Sequence, residues 1–324
     1  MKVFITKVIP EQGLEVLRTA GVSITQFSEK RELSTEEIID ACIKHDALLS
    51  AGKNIIDEAF LEKCGHLKGI SLLSVGYDNV DIPAATKHKI PVSNTPGVLS
   101  GATSDIALLL MLSVSRKAFY WHSIIGKGEW DFFEPTAGLG VEITGKTLGI
   151  FGMGQIGSAL ARKCKSAYGM KIIYHNRSRN AEAEKELDAT YVSWHELLEQ
   201  SDILSVHANL SSETQGLFNM DAFTKMKPSG IFINTARGAI HNEGHLIEAL
   251  EKGMIWGAGL DVTNPEPMAK DNPLLDMPTV CVLPHIGSAT LETRSVMSVI
   301  AARNIVAALQ GKQMPQVINP EAYR

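Results

Sequence analysis

The chain has 324 residues, more than the ~250–300 at which a single hydrophobic core usually stops growing, so two domains are expected. Apolar residues make up 44% and charged residues 21%, as in soluble globular enzymes, and a net charge of −5 argues against a nucleic-acid partner. The four cysteines are dispersed without CxxC spacing, and the chain contains neither a signal-peptide core at its start nor an apolar run long enough to span a membrane. We therefore expect reduced thiols, no membrane partner and a cytoplasmic location.

Strands and helices alternate along the first 98 residues. Five strands are predicted, at KVFIT, SITQF, ALLSA, LKGISLLSVG and PVSNT. The helix between the second and third strands opens with a capping pattern, Ser34 and Thr35 before Glu37. Such alternation is typical of a parallel sheet with helical crossovers.

A second alternation follows a long apolar segment. One helix is predicted over 101–130, and residues 131–143 show no periodicity. Six strands are then predicted, roughly at 148–151, 171–175, 203–207, 230–234, 258–262 and 280–283, which match a complete dinucleotide-binding sheet. The last helix, within 292–311, has no sheet of its own and is expected to pack on the first domain.

These patterns predict an α/β protein of two Rossmann-like domains, each a doubly wound parallel sheet. The dinucleotide-binding domain, 99–288, is expected to be inserted within a substrate-binding domain formed by 1–98 and 289–324.

The stretch TLGIFGMGQIG carries a G-x-G-x-x-G pattern at Gly152, Gly154 and Gly157. The first glycine suits a tight turn, the second lets a pyrophosphate approach the backbone, and the third lets helix and strand pack closely. Because the pattern follows a predicted strand and opens a predicted helix, it indicates dinucleotide binding, with a ligand-free tight turn as the alternative.

The strand that follows ends in KIIYHNRSRN, without the acidic residue that usually binds the ribose of NAD. Arg177 and Arg179 flank Ser178 and could hold a 2′-phosphate. NADP(H) is therefore the expected cofactor, with NAD(H) possible; a solvated basic turn is the alternative.

Arg237, Glu266 and His285 each follow a different predicted strand of the second domain. A protonated histidine can donate to a carbonyl oxygen that receives a hydride, and a neighbouring carboxylate favours the protonated ring. An arginine can hold a 2-oxo acid by its carboxylate. Each residue alone is a weak signal, and a lone histidine is more often structural. The three together, at the ends of three different predicted strands, favour a shared site.

His241 and His245 in HNEGH have the i, i+4 spacing of two metal ligands. The glutamate expected in second place is absent and Gly244 interrupts the segment, so no metal site is predicted, and the stretch is taken as the start of a helix.

With these motifs in view, the chain resembles the D-isomer-specific 2-hydroxyacid dehydrogenase family, most of all its glyoxylate/hydroxypyruvate reductases, which include 2-ketogluconate reductases. The matching stretches are SVGYDNVD, NTPGVLSGATSDIALLLML, GIFGMGQIG, NRSR, FINTARGA, GLDVTNPEP, NPLL and LPHIGSAT.

The resemblance implies that Arg237, Glu266 and His285 are the catalytic residues. It implies that Val75, Gly76, Arg237 and Ser288 line the substrate site, in a cleft between the domains. The cofactor contacts that it implies are Gly152, Gly154, Gln155, Ile156, Gly157, Asn176, Arg177, Ser178, Asn209, Thr235, Ala236, Arg237, Asp261, His285 and Gly287.

The expected activity is reduction of small 2-oxo acids to (R)-2-hydroxy acids with NADPH; glyoxylate and hydroxypyruvate are the first candidate substrates and 2-ketogluconate is a further one. Two alternatives are an NAD-linked relative such as phosphoglycerate dehydrogenase and a dinucleotide-sensing corepressor-like scaffold. The family implies a homodimer formed through about 118–145. Trp130 matches one of two tryptophans that some hydroxypyruvate reductases carry there, but Phe133 replaces the second, which leaves the pocket size open.

Overall fold

The structure, a computed structural model, describes all residues from 1 to 324. The chain divides into two compact units, one formed by Met1–Val98 with Ala289–Arg324 and the other by Leu99–Ser288. None of the helices combines the length and the apolar character that crossing a membrane would require.

The first unit is built on a parallel sheet of five strands in the order β2-β1-β3-β4-β5. The strands are β1 (Lys2–Ile5), β2 (Ser23–Gln26), β3 (Ala47–Ser50), β4 (Ile70–Leu72) and β5 (Val92–Ser93). Four helices connect them: α1 (Glu11–Thr19), α2 (Thr35–Cys42), α3 (Glu58–Lys63) and α4 (Ile82–Lys87). The predicted capping box is present at the start of α2, where Ser34 and Glu37 bond each other's backbone.

Both faces of this sheet are covered. Val3 and Ile5 belong to a core shared with α1 and the C-terminal helix (Leu291–Leu309), while Phe4 belongs to a core shared with α2 and α3. The C-terminal helix approaches α1 so closely that a Cβ on Gly13 would lie 2.7 Å from the carbonyl oxygen of Ser298. Glycine at position 13 therefore permits this packing.

The second unit contains a parallel sheet of seven strands in the order β12-β11-β10-β9-β6-β7-β8. They are β6 (Thr147–Phe151), β7 (Lys171–His175), β8 (Thr190–Tyr191), β9 (Ile203–Val206), β10 (Ile231–Asn234), β11 (Gly257–Leu260) and β12 (Val280–Val282). The six-strand prediction missed β8, whose two residues are too few for a periodic pattern. The strand order reverses between β6 and β9, which is where doubly wound sheets bind ligands.

Seven helices belong to this unit: α5 (Ser100–Arg116), α6 (Ala118–Gly126), α7 (Gln155–Tyr168), α8 (Ala181–Leu187), α9 (Trp194–Gln200), α10 (Met220–Lys225) and α11 (Glu243–Glu251). The single helix predicted over 101–130 is wrong, because Lys117 has a left-handed backbone with φ of 54° and separates α5 from α6. The break falls where burial ends: α5 buries Leu110 and Val114, whereas α6 buries no residue.

The predicted fold class is confirmed, since both units are parallel α/β sheets of Rossmann type. The four cysteines are unpaired and buried. Burial raises the thiol pKa of Cys164 to about 12 and that of Cys281 to about 11, so both thiols are protonated and unreactive near neutral pH.

Candidate active site

The loops that carry the predicted site residues of the second unit follow the carboxyl ends of β6, β7, β9, β10, β11 and β12. In a parallel sheet all these ends lie along one edge. The fold of this unit alone therefore brings the glycine cluster and the loops of Arg237, Asp261 and His285 to a common edge.

The three glycines of the fingerprint have different surroundings. Gly152 has φ of 100°, and a Cβ there would lie 2.5 Å from the Ala208 amide nitrogen; on Gly157 it would lie 2.6 Å from the Gly152 oxygen. At Gly154 a Cβ would meet nothing within 4 Å, and no side chain caps α7, which starts at the next residue. The exposed helix N-terminus, with Gln155 and Ile156 in its first turn, fits a bound pyrophosphate.

Two side chains that follow β7, those of Asn176 and Asn180, form hydrogen bonds with the backbone of the glycine-rich loop between β6 and α7. The Met153 amide donates to Asn176 Oδ1 at 2.7 Å, and Asn180 Nδ2 donates to the Met153 oxygen at 2.8 Å. The side chain of Asn176, a predicted cofactor contact, therefore stabilises the loop that carries the G-x-G-x-x-G pattern.

The two arginines of this turn differ in their partners. Arg179 makes two hydrogen bonds with Glu184, at 2.9 and 2.7 Å, and lowers the pKa of that carboxyl to about 2. The side chain of Arg177 is exposed and makes no hydrogen bond or ion pair with another residue, and Ser178 beside it is exposed as well. Arg177 is thus the cation of this pair that is available to an anionic ligand.

His285 and Glu266 lie in contact. His285 Nδ1 is 2.6 Å from Glu266 Oε1, and the histidine side chain is 40% exposed against 18% for the glutamate. The carboxylate therefore accepts from one ring nitrogen while part of the imidazole remains accessible.

Asp261 holds the backbone that follows His285. Its Oδ1 accepts from the Ile286 amide at 2.8 Å and its Oδ2 from the Gly287 amide at 2.7 Å. His285 itself has φ of 56°, and a Cβ on Gly287 would lie 3.1 Å from Asp261 Oδ2. Burial raises the pKa of Asp261, and the two amides counteract that rise. The carboxylate that was predicted to contact the cofactor is thus fully engaged with the His285 loop.

The turn that carries Arg237 is held by a residue that sequence reasoning missed. Asn234, fully buried at the end of β10, donates to the Arg237 oxygen at 2.9 Å and accepts from the Ala236 amide at 3.0 Å. Arg237 Nη1 donates to the Ala236 oxygen at 2.8 Å. The motif FINTARG contains Asn234, but nothing in its spacing distinguishes a turn-bracing amide from a ligand contact.

Thr235 is linked to the neighbouring strand through His207, a second residue that was missed. The His207 ring lies 2.9 Å from Ser205 Oγ and 3.3 Å from Thr235 Oγ1, and burial lowers the pKa of His207 to about 3. Two positions further on, Asn209 is exposed, and its carbonyl accepts from the Thr214 hydroxyl at 2.8 Å.

Val75 and Gly76 belong to the first unit, in the loop after β4. Asn94 Nδ2 donates to the Val75 oxygen and Ser74 Oγ to the Gly76 oxygen, both at 2.7 Å. The two amide N–H groups make no hydrogen bond within the chain and can serve a carboxylate. Ser288 is the last residue of the second unit, next to Gly287. Whether these residues share a site stays a prediction.

The two histidines of HNEGH do not share a helix face, because α11 begins at Glu243, with Asn242 as its N-cap. His241 Nδ1 is bonded to Asn234, and His245 Nδ1 accepts from the Met220 amide at 3.2 Å.

Residues 108–287 match the model of the D-isomer specific 2-hydroxyacid dehydrogenase NAD-binding domain, which covers more than half of the chain. The chain belongs to the D-isomer specific 2-hydroxyacid dehydrogenase family. The resemblance stated from the motifs is thereby confirmed, and the protein is an NAD(P)-dependent oxidoreductase of that family.

Several known proteins match along nearly the whole chain. A glyoxylate reductase of Thermococcus litoralis is 41% identical over 324 residues, covering 99% of this chain and 97% of the relative. A crystal structure of a protein from Thermus thermophilus superposes with a TM-score of 0.91 at 36% identity, covering 98% of this chain and all of the other. An NADPH-dependent glyoxylate/hydroxypyruvate reductase of Sinorhizobium meliloti, solved with NADP and malonate, has a TM-score of 0.84 at 28% identity, covering 99% of this chain and 97% of that one.

Proposed function

We propose that this dehydrogenase reduces small 2-oxo acids to 2-hydroxy acids, with R configuration where the product is chiral, and that glyoxylate and hydroxypyruvate are its first substrates. The observation that carries the proposal is the 2.6 Å contact between His285 and Glu266 at the edge of the dinucleotide-type sheet. The substrates themselves are suggested by the names of full-length relatives, among them the glyoxylate reductase of Thermococcus litoralis.

A reduced nicotinamide cofactor held at the Gly152–Gly157 turn would supply the hydride that the carbonyl carbon needs. His285 is the general acid: it donates the proton that turns the carbonyl oxygen into a hydroxyl. Because Glu266 accepts from Nδ1, the proton on Nε2 is the one directed to the substrate. Glu266 stabilises the imidazolium before transfer and fixes the ring orientation, the part that an acidic partner has in a catalytic triad.

Arg237 is proposed to bind the substrate carboxylate and to polarise the adjacent carbonyl. Its backbone is fixed by Asn234, so the guanidinium extends from a defined turn. The amides of Val75 and Gly76 are proposed to bind the same carboxylate, and Ser288 to line the edge of the site, as the family resemblance implies. Positioning by several donors lets the carbonyl carbon meet the hydride in one orientation.

The proposed cofactor preference is NADPH over NADH. The exposed and unpaired Arg177 supports this preference, as does the absence of a carboxylate at the end of β7. Gly154, Gln155, Ile156 and Gly157 are proposed at the pyrophosphate, and Arg177 and Ser178 at the 2′-phosphate. Four of the remaining proposed cofactor contacts lie in loops along the same sheet edge: Asn209, Thr235, Ala236 and Gly287. The other two, Asn176 and Asp261, are proposed to act indirectly, through the loops to which their side chains are hydrogen-bonded.

The protein is proposed to act as a homodimer through residues of about 118–145. Within this segment Trp130, Phe132, Phe133 and Leu139 are 70, 73, 85 and 62% exposed, respectively, an unusual concentration of apolar side chains for a monomer surface. A second copy would cover them. Phe133 leaves the acceptance of longer substrates such as 2-ketogluconate open, and the cytoplasmic location also stays a prediction.

The decisive experiment is NADPH or NADH oxidation by the purified protein with a panel of glyoxylate, hydroxypyruvate, 2-ketogluconate and phosphohydroxypyruvate. We expect turnover of glyoxylate and hydroxypyruvate, faster with NADPH. Activity confined to the phosphorylated substrate with NADH would favour a phosphoglycerate dehydrogenase. A folded, cofactor-binding protein without any turnover that captures a protein partner stoichiometrically would favour the corepressor-like scaffold.

A further inference from the structure

The carboxamide of Asn234 makes two hydrogen bonds with the turn that carries Arg237 and a third with His241. Oδ1 accepts from the Ala236 amide at 3.0 Å, which assigns the other end of the amide as Nδ2. Nδ2 then donates one hydrogen to the Arg237 oxygen at 2.9 Å. Its second hydrogen points to His241 Nδ1 at 3.1 Å, so both amide hydrogens have acceptors.

His241 is equally constrained from its own side. Its side chain is only 1% exposed, and its ring meets the ring of Phe232 edge to face, with centroids 5.8 Å apart. Its backbone pairs with Phe218, whose oxygen accepts from the next amide, that of Asn242. The ring is therefore packed against β10, and the backbone of His241 is held by this pairing.

This geometry determines the tautomer of His241. Because Asn234 Nδ2 can only donate, Nδ1 must accept, and the ring proton lies on Nε2. Nε2 is buried and has no hydrogen-bond partner. Burial also lowers the pKa of His241 to about 4, which keeps the ring neutral near pH 7.

A buried donor without a partner costs stability, and an apolar side chain would fill this space without that cost. Packing alone therefore does not account for histidine at position 241. What histidine adds is an acceptor at Nδ1, and the group that this acceptor orients is the carboxamide beneath Arg237.

We propose that His241 is a positioning residue for Arg237: it fixes the orientation of the Asn234 carboxamide, which holds the Ala236–Arg237 backbone and so aims the guanidinium at the substrate carboxylate. The inference rests on the proposed role of Arg237 in binding a 2-oxo acid. It predicts an effect on substrate binding, with little effect on cofactor binding.

The test compares His241→Leu, which removes the acceptor, with His241→Asn, whose Oδ1 can replace Nδ1. Phe232→Leu is the matched control, because it loosens packing against the same ring and leaves the Asn234 contacts in place. We expect His241→Leu to raise KM for the 2-oxo acid about tenfold while the Kd of NADPH stays within about twofold, and His241→Asn to restore most of the loss. Phe232→Leu should lower the Tm without raising KM.

A second measurement does not depend on activity. Hydrogen–deuterium exchange of peptides spanning 235–241 should be faster in His241→Leu but not in Phe232→Leu. If His241→Leu does not fold, Asn234→Asp takes its place and should show the same faster exchange. An active enzyme in which His241→Leu changes neither KM nor exchange, or in which His241→Asn is as impaired as His241→Leu, would overturn the inference. If the wild-type protein turns over no 2-oxo acid, the proposed function is refuted. Faster exchange in His241→Leu would in that case still support the structural role of His241 in holding this turn.

Discussion

Asp261 clamps the backbone immediately after His285, accepting from the amides of Ile286 and Gly287 while His285 has a left-handed φ of 56°. Such a conformation is disfavoured for a residue with a Cβ and persists where its surroundings enforce it. The Asp261 carboxylate provides that enforcement.

Replacement of Asp261 by Asn should test this clamp. One amide N–H would then face the Asn Nδ2 donor, so we expect a loss of about 1–3 kcal/mol in the free energy of unfolding. Because His285 would be less well placed, kcat should fall about 10–100-fold. Chemical denaturation and steady-state kinetics measure the two effects.

Asp202→Asn is the matched control for that variant. Asp202 also accepts from a backbone amide, that of Thr147, at 2.8 Å, but it lies at the start of β9, at the opposite edge of the sheet. This variant should lose stability and keep kcat. If both variants lose activity in proportion to stability, the clamp has no specific connection with His285.

Removal of the Glu266 carboxylate should slow the reaction at neutral pH. In Glu266→Gln the amide can still face Nδ1 of His285, but it no longer stabilises a positive ring, so kcat should fall about tenfold or more. His285→Gln removes the general acid and should lose most of the wild-type rate. Fluorescence energy transfer from tryptophan to NADPH should show unchanged cofactor binding in both variants. Unchanged turnover in His285→Gln would remove this residue from the mechanism.

Arg177 and Arg179 should respond differently to substitution. Arg177→Ala removes an unpaired exposed cation, so KM for NADPH should rise about tenfold with little change for NADH. Arg179→Ala breaks the pair with Glu184, which also accepts from Tyr174 at 2.5 Å, and should affect the two cofactors alike. Equal losses for NADPH and NADH in Arg177→Ala would contradict the 2′-phosphate role.

Stability should decline as the solution is acidified from about pH 6.5 toward pH 4. The pKa of His241 is lowered from 6.5 to about 4 in the folded chain, so in this range the unfolded state binds more protons and acid favours unfolding. The full contribution is on the order of 3 kcal/mol, present above pH 6.5 and lost as the pH falls to the folded value. Urea titrations of wild type and His241→Asn at several pH values should show a flatter dependence for the variant; parallel curves would show that His241 titrates alike in both states.

The exposed aromatic side chains of the 118–145 segment should control association. Phe132→Ser combined with Phe133→Ser should convert a dimer to monomers in size-exclusion chromatography with light scattering, because the covered apolar area would shrink. Val8→Ser, which alters an exposed apolar residue in the first unit, is the control and should leave the mass unchanged. A wild-type protein that is monomeric at micromolar concentration would refute the dimer proposal.

Residue pattern alone was sufficient for most of the architecture. The alternation of short apolar runs with helical periodicity predicted two parallel sheets, since burial on both faces leaves a continuous apolar strand. The glycine pattern and the candidate residues Arg237, Glu266 and His285 could also be predicted to lie near one edge, because parallel strands bring their carboxyl ends there. The predicted long helix failed because the chain's path at Lys117 depends on where α5 leaves the core, which periodicity does not report.

What the sequence by itself determined is most of the strands and helices and the chemistry available at one sheet edge, because these follow from local periodicity and from the order of strands. Only the tertiary structure decided which polar groups form hydrogen bonds with each other. Asp261 accepts from the backbone of the His285 loop, and Asn176 accepts from the backbone of the glycine-rich loop. His241 bonds Asn234, which holds the turn of Arg237. These partners are far apart in the chain or of common residue types. A hydrogen bond depends on distances of a few ångströms and on donor direction, and those are set only when the strands pack side by side.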